Sequence, residues 1–179
     1  MTHIDHSEKV FNMKRLLLIL ILTLSFQSLT KADDIRDFQI EGMSIGDSLL
    51  DYFNEDEILK NDGNYYSKKK FITTVFNNHP NLKHYDWLQI TYKRNDSKYI
   101  IYSLDGVIEF RKNYKACLKK KEIVVNELNT IFDKKNSRID NGIHGADKSG
   151  NSLYENFIFE LEGGHEVAVS CTDWSKHFE

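Results

Sequence analysis

Ser44 stands in Gly42-Met-Ser44-Ile-Gly46, the G-x-S-x-G spacing that in a nucleophile elbow pushes a serine hydroxyl out of a tight strand-to-helix turn. An elbow needs a largely parallel sheet beneath it, and only one short strand-like segment, 38–40, precedes this one. The same serine fits a second pattern. With Asp47 three residues on, it makes the S-x-x-D start of a capped helix, so Ser44 and Asp47 are expected as a helix N-cap pair. Asp147-Lys-Ser-Gly-Asn151 has the outline of a calcium loop but lacks the Gly at the sixth position and the Glu at the twelfth, which leaves a plain turn. His79, His84, His144, His165 and His177 fall in expected turns, strand ends and the tail, with no H-x-x-x-H pair to hold a metal. No metal-binding or cofactor-binding residue is assigned. The remaining reactive pair, Cys117 and Cys171, has no histidines at zinc-ligand spacing and is expected to form a disulfide.

The compartment that would favour that bond is read from the start of the chain. Lys14 and Arg15 lead into an apolar run over 16–24, followed by small residues, with Thr30 and Ala32 at the −3 and −1 positions of a signal-peptidase site. The run is much shorter than the roughly 20 residues that span a bilayer. A signal peptide over 1–32, cut after Ala32, is expected, with Met13 as an alternative start. No Cys lies near the cut, so lipid attachment is not indicated. The 147 residues left suit one domain, 33–179, with a core of its own. Residues 1–32 hold four of the 24 basic and two of the 27 acidic residues, so the remainder carries 20 and 25, a net charge of −5. That balance argues against nucleic acid and against anionic lipid as general partners.

The elements that would position these residues follow from periodicity. Ile45, Leu49 and Phe53 recur at i, i+4 and i+8, which predicts a short helix over 45–53. The segment 54–57 caps a second short turn, with three acids suited to a helix start. A meander follows: strands over 71–76, 85–94 and 99–104, the middle one alternating Leu88, Ile90 and Tyr92 against Gln89, Thr91 and Lys93. Asp105-Gly106 is a strong hairpin signal that returns the chain through 107–110. Tyr114, Cys117, Leu118, Val125, Leu128 and Phe132 form an apolar stripe, predicting a helix from Asn113 to about Phe132, with Lys119 to Lys121 as a charge run on its solvated face from which Lys121 can snorkel. Residues 133–152 read as a polar loop. A C-terminal hairpin then places Phe157, Phe159 and Leu161 on one side of the first strand and Val167, Val169 and Cys171 on one face of the second. Cys117 on the helix stripe and Cys171 on that face could meet if the helix packs there. The expected fold is α+β: an antiparallel sheet of five to seven strands, made of a meander and a C-terminal hairpin, with one long amphipathic helix on a face and a short N-terminal helix.

Two stretches resemble known families. Gly46-Asp47-Ser48-Leu49 resembles the opening motif of the GDSL (SGNH) ester hydrolases. The resemblance implies Ser48 as nucleophile, with a late Asp-x-x-His supplying the other two triad members; here Asp173-Trp-Ser-Lys-His177 stands in that place, one residue longer than the family spacing. The family's Gly-x-Asn-Asp block is echoed in Lys93-Arg94-Asn95-Asp96 without its Gly, and the family fold is built on a parallel sheet. Ile40-Glu-Gly-Met-Ser44 is similar to the helix start of small SmpA/OmlA-type outer-membrane assembly proteins, which carry a lipidated Cys that this chain lacks. The segment 38–53 looks most like small exported bacterial proteins of no assigned activity.

No intact catalytic or metal constellation emerges from the residues themselves. The leading expectation is therefore an exported, periplasmic or secreted protein that is a non-enzymatic binding or accessory module, with an unknown protein or small-molecule partner in the envelope. A GDSL-type hydrolase using Ser48, Asp173 and His177 is the alternative, and an inhibitor- or immunity-like module is a third. A small exposed apolar patch on the sheet would favour binding over catalysis.

Overall fold

Tyr92, Ile90 and Leu88 alternate with half-buried Thr91, Gln89 and Trp87, and this period of two builds the centre of the first sheet. The computed structural model describes residues 35–63 and 70–176. The expected signal peptide and His177 lie outside the described residues. Strands β1 (Phe71–Asn77), β2 (Trp87–Lys93) and β3 (Ile101–Val107) form an antiparallel sheet in sequence order. Its inner face meets Met43, Leu49, Phe53 and Ile58, and the rings of Phe53 and Phe76 stack with centroids 3.8 Å apart. Helix α1 (Glu55–Lys60) starts at Asn54, whose Oδ1 accepts from Glu57 N–H while Glu57 Oε2 accepts from Asn54 N–H. That reciprocal box, with three acids in the first turn, stabilises a helix of only six residues.

Helix α2 (Tyr114–Leu128) is capped by Asn113, whose Oδ1 accepts from Ala116 N–H. Fifteen residues make it about 22 Å long. It ends before Phe132, which reaches the core from the following turn. Strands β4 (Ser137–Ile143), β5 (Leu153–Glu160) and β6 (Glu166–Asp173) form a second antiparallel sheet. Val125, Leu128 and Phe132 bury against Phe159 and Val167. Ile45 packs against both core clusters and so joins the two sheets.

The α+β class holds, but the strands divide into two sheets of three, and the C-terminal hairpin is a three-strand meander. Strand β4 occupies part of the expected loop 133–152. Its Arg-Ile-Asp-Asn-Gly core has little β-propensity, yet as an edge it needs only the ladder that β5 provides. The expected helix over 45–53 is absent. Gly46 has φ +93°, which no helix accepts, and the segment lies along β3 instead. Gly46 N–H donates to Ile101 O at 3.0 Å, Ile101 N–H to Asp47 O at 2.9 Å and Leu49 N–H to Tyr99 O at 3.1 Å. Asp105-Gly106 does not turn: both residues continue β3, facing Gln89 and Leu88. Gly106 is required because the Tyr85 ring lies against it; a Cβ there would stand 2.6 Å from the ring carbons.

The candidate binding surface

Ile143 faces Leu153 across the β4–β5 ladder, and Ile139 faces Phe157 four pairs further on. Alternation puts all four on the face of the second sheet that carries Val169 and Cys171. Helix α2 covers this face from the β6 side. Cys117 is disulfide-bonded to Cys171, and Lys121 Nζ pairs with Glu155. The β4 side stays bare: Ile139 is 66% exposed, Ile143 61% and Leu153 49%. Trp174, just beyond β6 and also exposed, is brought to this end of the sheet by the Asp173–Leu153 pair; its ring centroid is 4.4 Å from that of His144, which in turn meets Tyr154 of the opposite face.

The corner that holds Trp174 is built on one carboxylate. Asp147 Oδ1 accepts from Ser149 N–H at 2.8 Å. Its Oδ2 accepts from Ser152 N–H at 3.1 Å, Ser152 Oγ at 2.6 Å and Ser175 Oγ at 2.7 Å. Ser175 N–H in turn donates to Ser152 Oγ. The hydroxyls of Ser152 and Ser175, with Ser149, hold the Asp147 carboxyl well below the usual carboxylate range. The loop that looked like a calcium site is thus a clamp that ties the β4–β5 connection to the segment after β6. Its carboxylate is filled by the chain's own donors. Tyr114, at the start of α2, is pushed up by burial and by the carboxylates of Glu155 and Asp173.

The residues singled out for catalysis are dispersed. Ser48 Oγ donates to Lys98 O at 2.6 Å and accepts from Leu50 N–H at 3.2 Å, which makes it the cap of a 3-10 turn over Leu49–Asp51 at the edge of the first sheet. Asp173 ends β6 in the second sheet, opposite Leu153. Ser44 and Asp47 do not cap a helix. Ser44 Oγ, in a buried side chain, donates to Phe38 O at 3.2 Å. Asp47 Oδ2 accepts from Ser44 N–H at 2.8 Å and from Tyr52 Oη at 2.7 Å. Half of the expected box is made, with a turn in place of the helix, and Tyr52 is pushed up to about 12 by burial and by Asp47. An elbow needs a parallel sheet, and all four pairings among the six described strands are antiparallel.

Among the described residues no three His, Cys, Asp or Glu side chains gather to hold a metal, and no helix is long and apolar enough to cross a membrane. A shallow hollow lined by Ile35, Ile45, Glu162 and His165 includes neither Ser48 nor Asp173. Sequence reasoning passed over Ile139 and Ile143 because they lie in the expected loop; their four-residue spacing, equal in strand parity, was the available signal. No family model matches the chain, and no curated protein and no solved structure matches it.

Proposed function

We propose that this protein is an exported, non-enzymatic binding module that engages a protein partner through the β4 side of its second sheet. One observation carries the reading: Ile139, Ile143 and Leu153 are exposed together on one face, beside a helix that stops short of them. Clustered apolar side chains left in water are costly unless something covers them. The leader-like segment over 1–32 supports export, and the Cys117–Cys171 bond suits an oxidising compartment. The clamp at Asp147 supports a preformed surface, because it fixes Ser152, the residue before Leu153, before any partner arrives.

The test is site-specific photo-crosslinking in the cells that export the protein. A photoreactive residue at Ile143 is expected to give discrete adducts. One at Leu59, which is 53% exposed on α1 of the first sheet, is expected to give none. Leu153→Asp should abolish the Ile143 adducts without changing export. Equal labelling at both positions, or adducts indifferent to Leu153→Asp, would remove the basis for this reading.

A further inference from the structure

Two of the four sheet edges among the described residues are closed by the chain itself. Residues 46–49 lie along β3. Along β1, Gly63 N–H donates to Thr73 O and Val75 N–H to Asn61 O, at 2.8 and 2.9 Å. Of the other two, β6 exposes Glu166, Ala168 and Ser170, whereas β4 exposes isoleucines. Edges of that second kind are templates for another strand.

The direction of the β4 backbone follows from one bond. His144 N–H donates to Ser152 O at 2.8 Å, in line with the Ile143–Leu153 pairing. In an antiparallel ladder alternate residues turn to the partner, so the N–H and C=O groups of Asp140 and Gly142 face β5. Those of Ile139, Asn141 and Ile143 face outward. The same three residues place their side chains on the face shared with Leu153.

We propose that the occupant of this edge is β4 of a second copy of the chain, paired antiparallel with Asn141 on the two-fold axis. In that register Asn141 meets Asn141, Ile139 meets Ile143, and Asp140 meets Gly142. Every outward-facing residue falls at a hydrogen-bonded position, apolar side chains meet apolar ones, and each carboxylate meets a glycine. Moving the axis to Asp140 sets two carboxylates opposite each other and pairs each Ile139 with Asn141; like charges across a ladder are destabilising. Moving it to Gly142 pairs Ile143 with Asn141. The self-complementary contact is of the isologous kind that closes on itself as a dimer. It makes one six-stranded sheet, and Ile139, Ile143 and Leu153 of both copies form one continuous strip. The inference rests on the reading of this face as an interaction surface and names its first occupant.

Register-specific cross-linking tests it on the mature protein with Cys117–Cys171 intact. Residues at a hydrogen-bonded pair stand about 5.5 Å apart at Cα, within the span a disulfide bridges. Asn141→Cys is expected to give a reducible covalent dimer on mild oxidation. Ile139→Cys alone is expected to give none, because its own copy lies four residues out of register, while Ile139→Cys with Ile143→Cys links. In sedimentation equilibrium, Asn141→Pro removes an outward N–H that β5 does not use. It should raise the dimer Kd at least about tenfold with an unchanged circular dichroism spectrum and melt. A wild-type protein that stays monomeric at its highest soluble concentration, or an Asn141→Cys protein that fails to link, overturns the dimer. If linking fails while Leu153→Asp still abolishes the Ile143 photo-adducts, the face serves a different partner. If both signals are absent, the face is not an interaction surface at all.

Discussion

Glu155 lies directly across the β5–β6 ladder from Cys171, and α2 meets this pair with two residues one helical turn apart. Cys117 bonds Cys171, and Lys121 pairs with Glu155. The i, i+4 spacing on the helix thus matches a single cross-strand step on the sheet. The stem of Lys121 lies under the helix and its ammonium reaches Glu155, leaving the side chain only 10% exposed. One rung is covalent and the next is electrostatic, and together they hold α2 along β6. That placement is what leaves β4 bare.

The covalent rung closes a loop of 54 residues. In the chain-entropy picture this is worth about 4 kcal/mol, an upper figure because reduced chains retain some structure. Cys117→Ser with Cys171→Ser is expected to lose about 2–4 kcal/mol in urea denaturation, with unchanged far-UV circular dichroism at zero denaturant. A loss well under 1 kcal/mol would mean that the packing of Val125, Leu128 and Phe132 holds α2 without the bond.

The electrostatic rung predicts an asymmetry. Glu155 is 41% exposed, so Lys121→Met leaves a carboxylate that water can reach, and the methionine keeps the buried stem. Glu155→Ala instead strands an ammonium under the helix. The first is expected to cost under about 1 kcal/mol and the second about 1–3 kcal/mol. Chemical denaturation of the two variants checks it, and equal costs would show the ammonium to be better solvated than its surroundings imply.

At Gly106 the constraint is steric. An added Cβ would stand 2.6 Å from Cδ1 and Cε1 of Tyr85, whose amide is anchored on Glu41 Oε1. Gly106→Ala is expected to destabilise by about 1–3 kcal/mol, and most of that cost should vanish in a Tyr85→Leu background. Additive effects of the two substitutions in thermal unfolding would separate the glycine from the ring.

The same glycine shows where sequence reasoning ends. Asp105-Gly106 has the composition of a hairpin, and nothing local distinguishes a turn glycine from one cleared for a distant ring. Long periodic segments were legible: the alternation of Leu88, Ile90 and Tyr92, and the stripe from Tyr114 to Leu128, both describe faces that bury. Residues 45–53 carry the right apolar spacing, and Leu49 and Phe53 are buried as it implies, but the amides of Gly46 and Leu49 find the carbonyls of Ile101 and Tyr99 instead of a helix. Strand β4 was illegible because an edge is defined by its neighbour's ladder, not by its own composition. The candidate surface went unseen with it, since Ile139 and Ile143 gain meaning only beside Leu153.

Ser48 offers a direct chemical test. Its proton is committed to Lys98 O and its lone pair accepts from Leu50 N–H, so the hydroxyl proton is held by a carbonyl and not by a general base. Treatment with a serine-reactive fluorophosphonate is expected to leave the intact mass unchanged. Ser48→Ala should cost about 1 kcal/mol through the lost cap and the lost bond to Lys98. A stoichiometric adduct absent from Ser48→Ala would make the protein a hydrolase and displace the binding reading.

Asp147 gives the pH dependence. Its carboxyl is held below the usual range in the fold, chiefly by the Ser152 and Ser175 hydroxyls, so folding favours the ionised form. The stabilisation is therefore complete above the ordinary aspartate value, about pH 4, and is lost as acid protonates the group through its lower folded value. Asp147→Asn keeps the shape but weakens the acceptor, so its melting temperature should fall below wild type at neutral pH and approach it as the pH drops under about 4. Because Ser175 neighbours Trp174, the emission of Trp174 in a Trp87→Phe background should report loosening of this corner over the same acid range. A gap in melting temperature that stays constant into strong acid would show that the clamp works through shape alone, and that the exposed tryptophan is positioned by packing against His144 and not by the charge of Asp147.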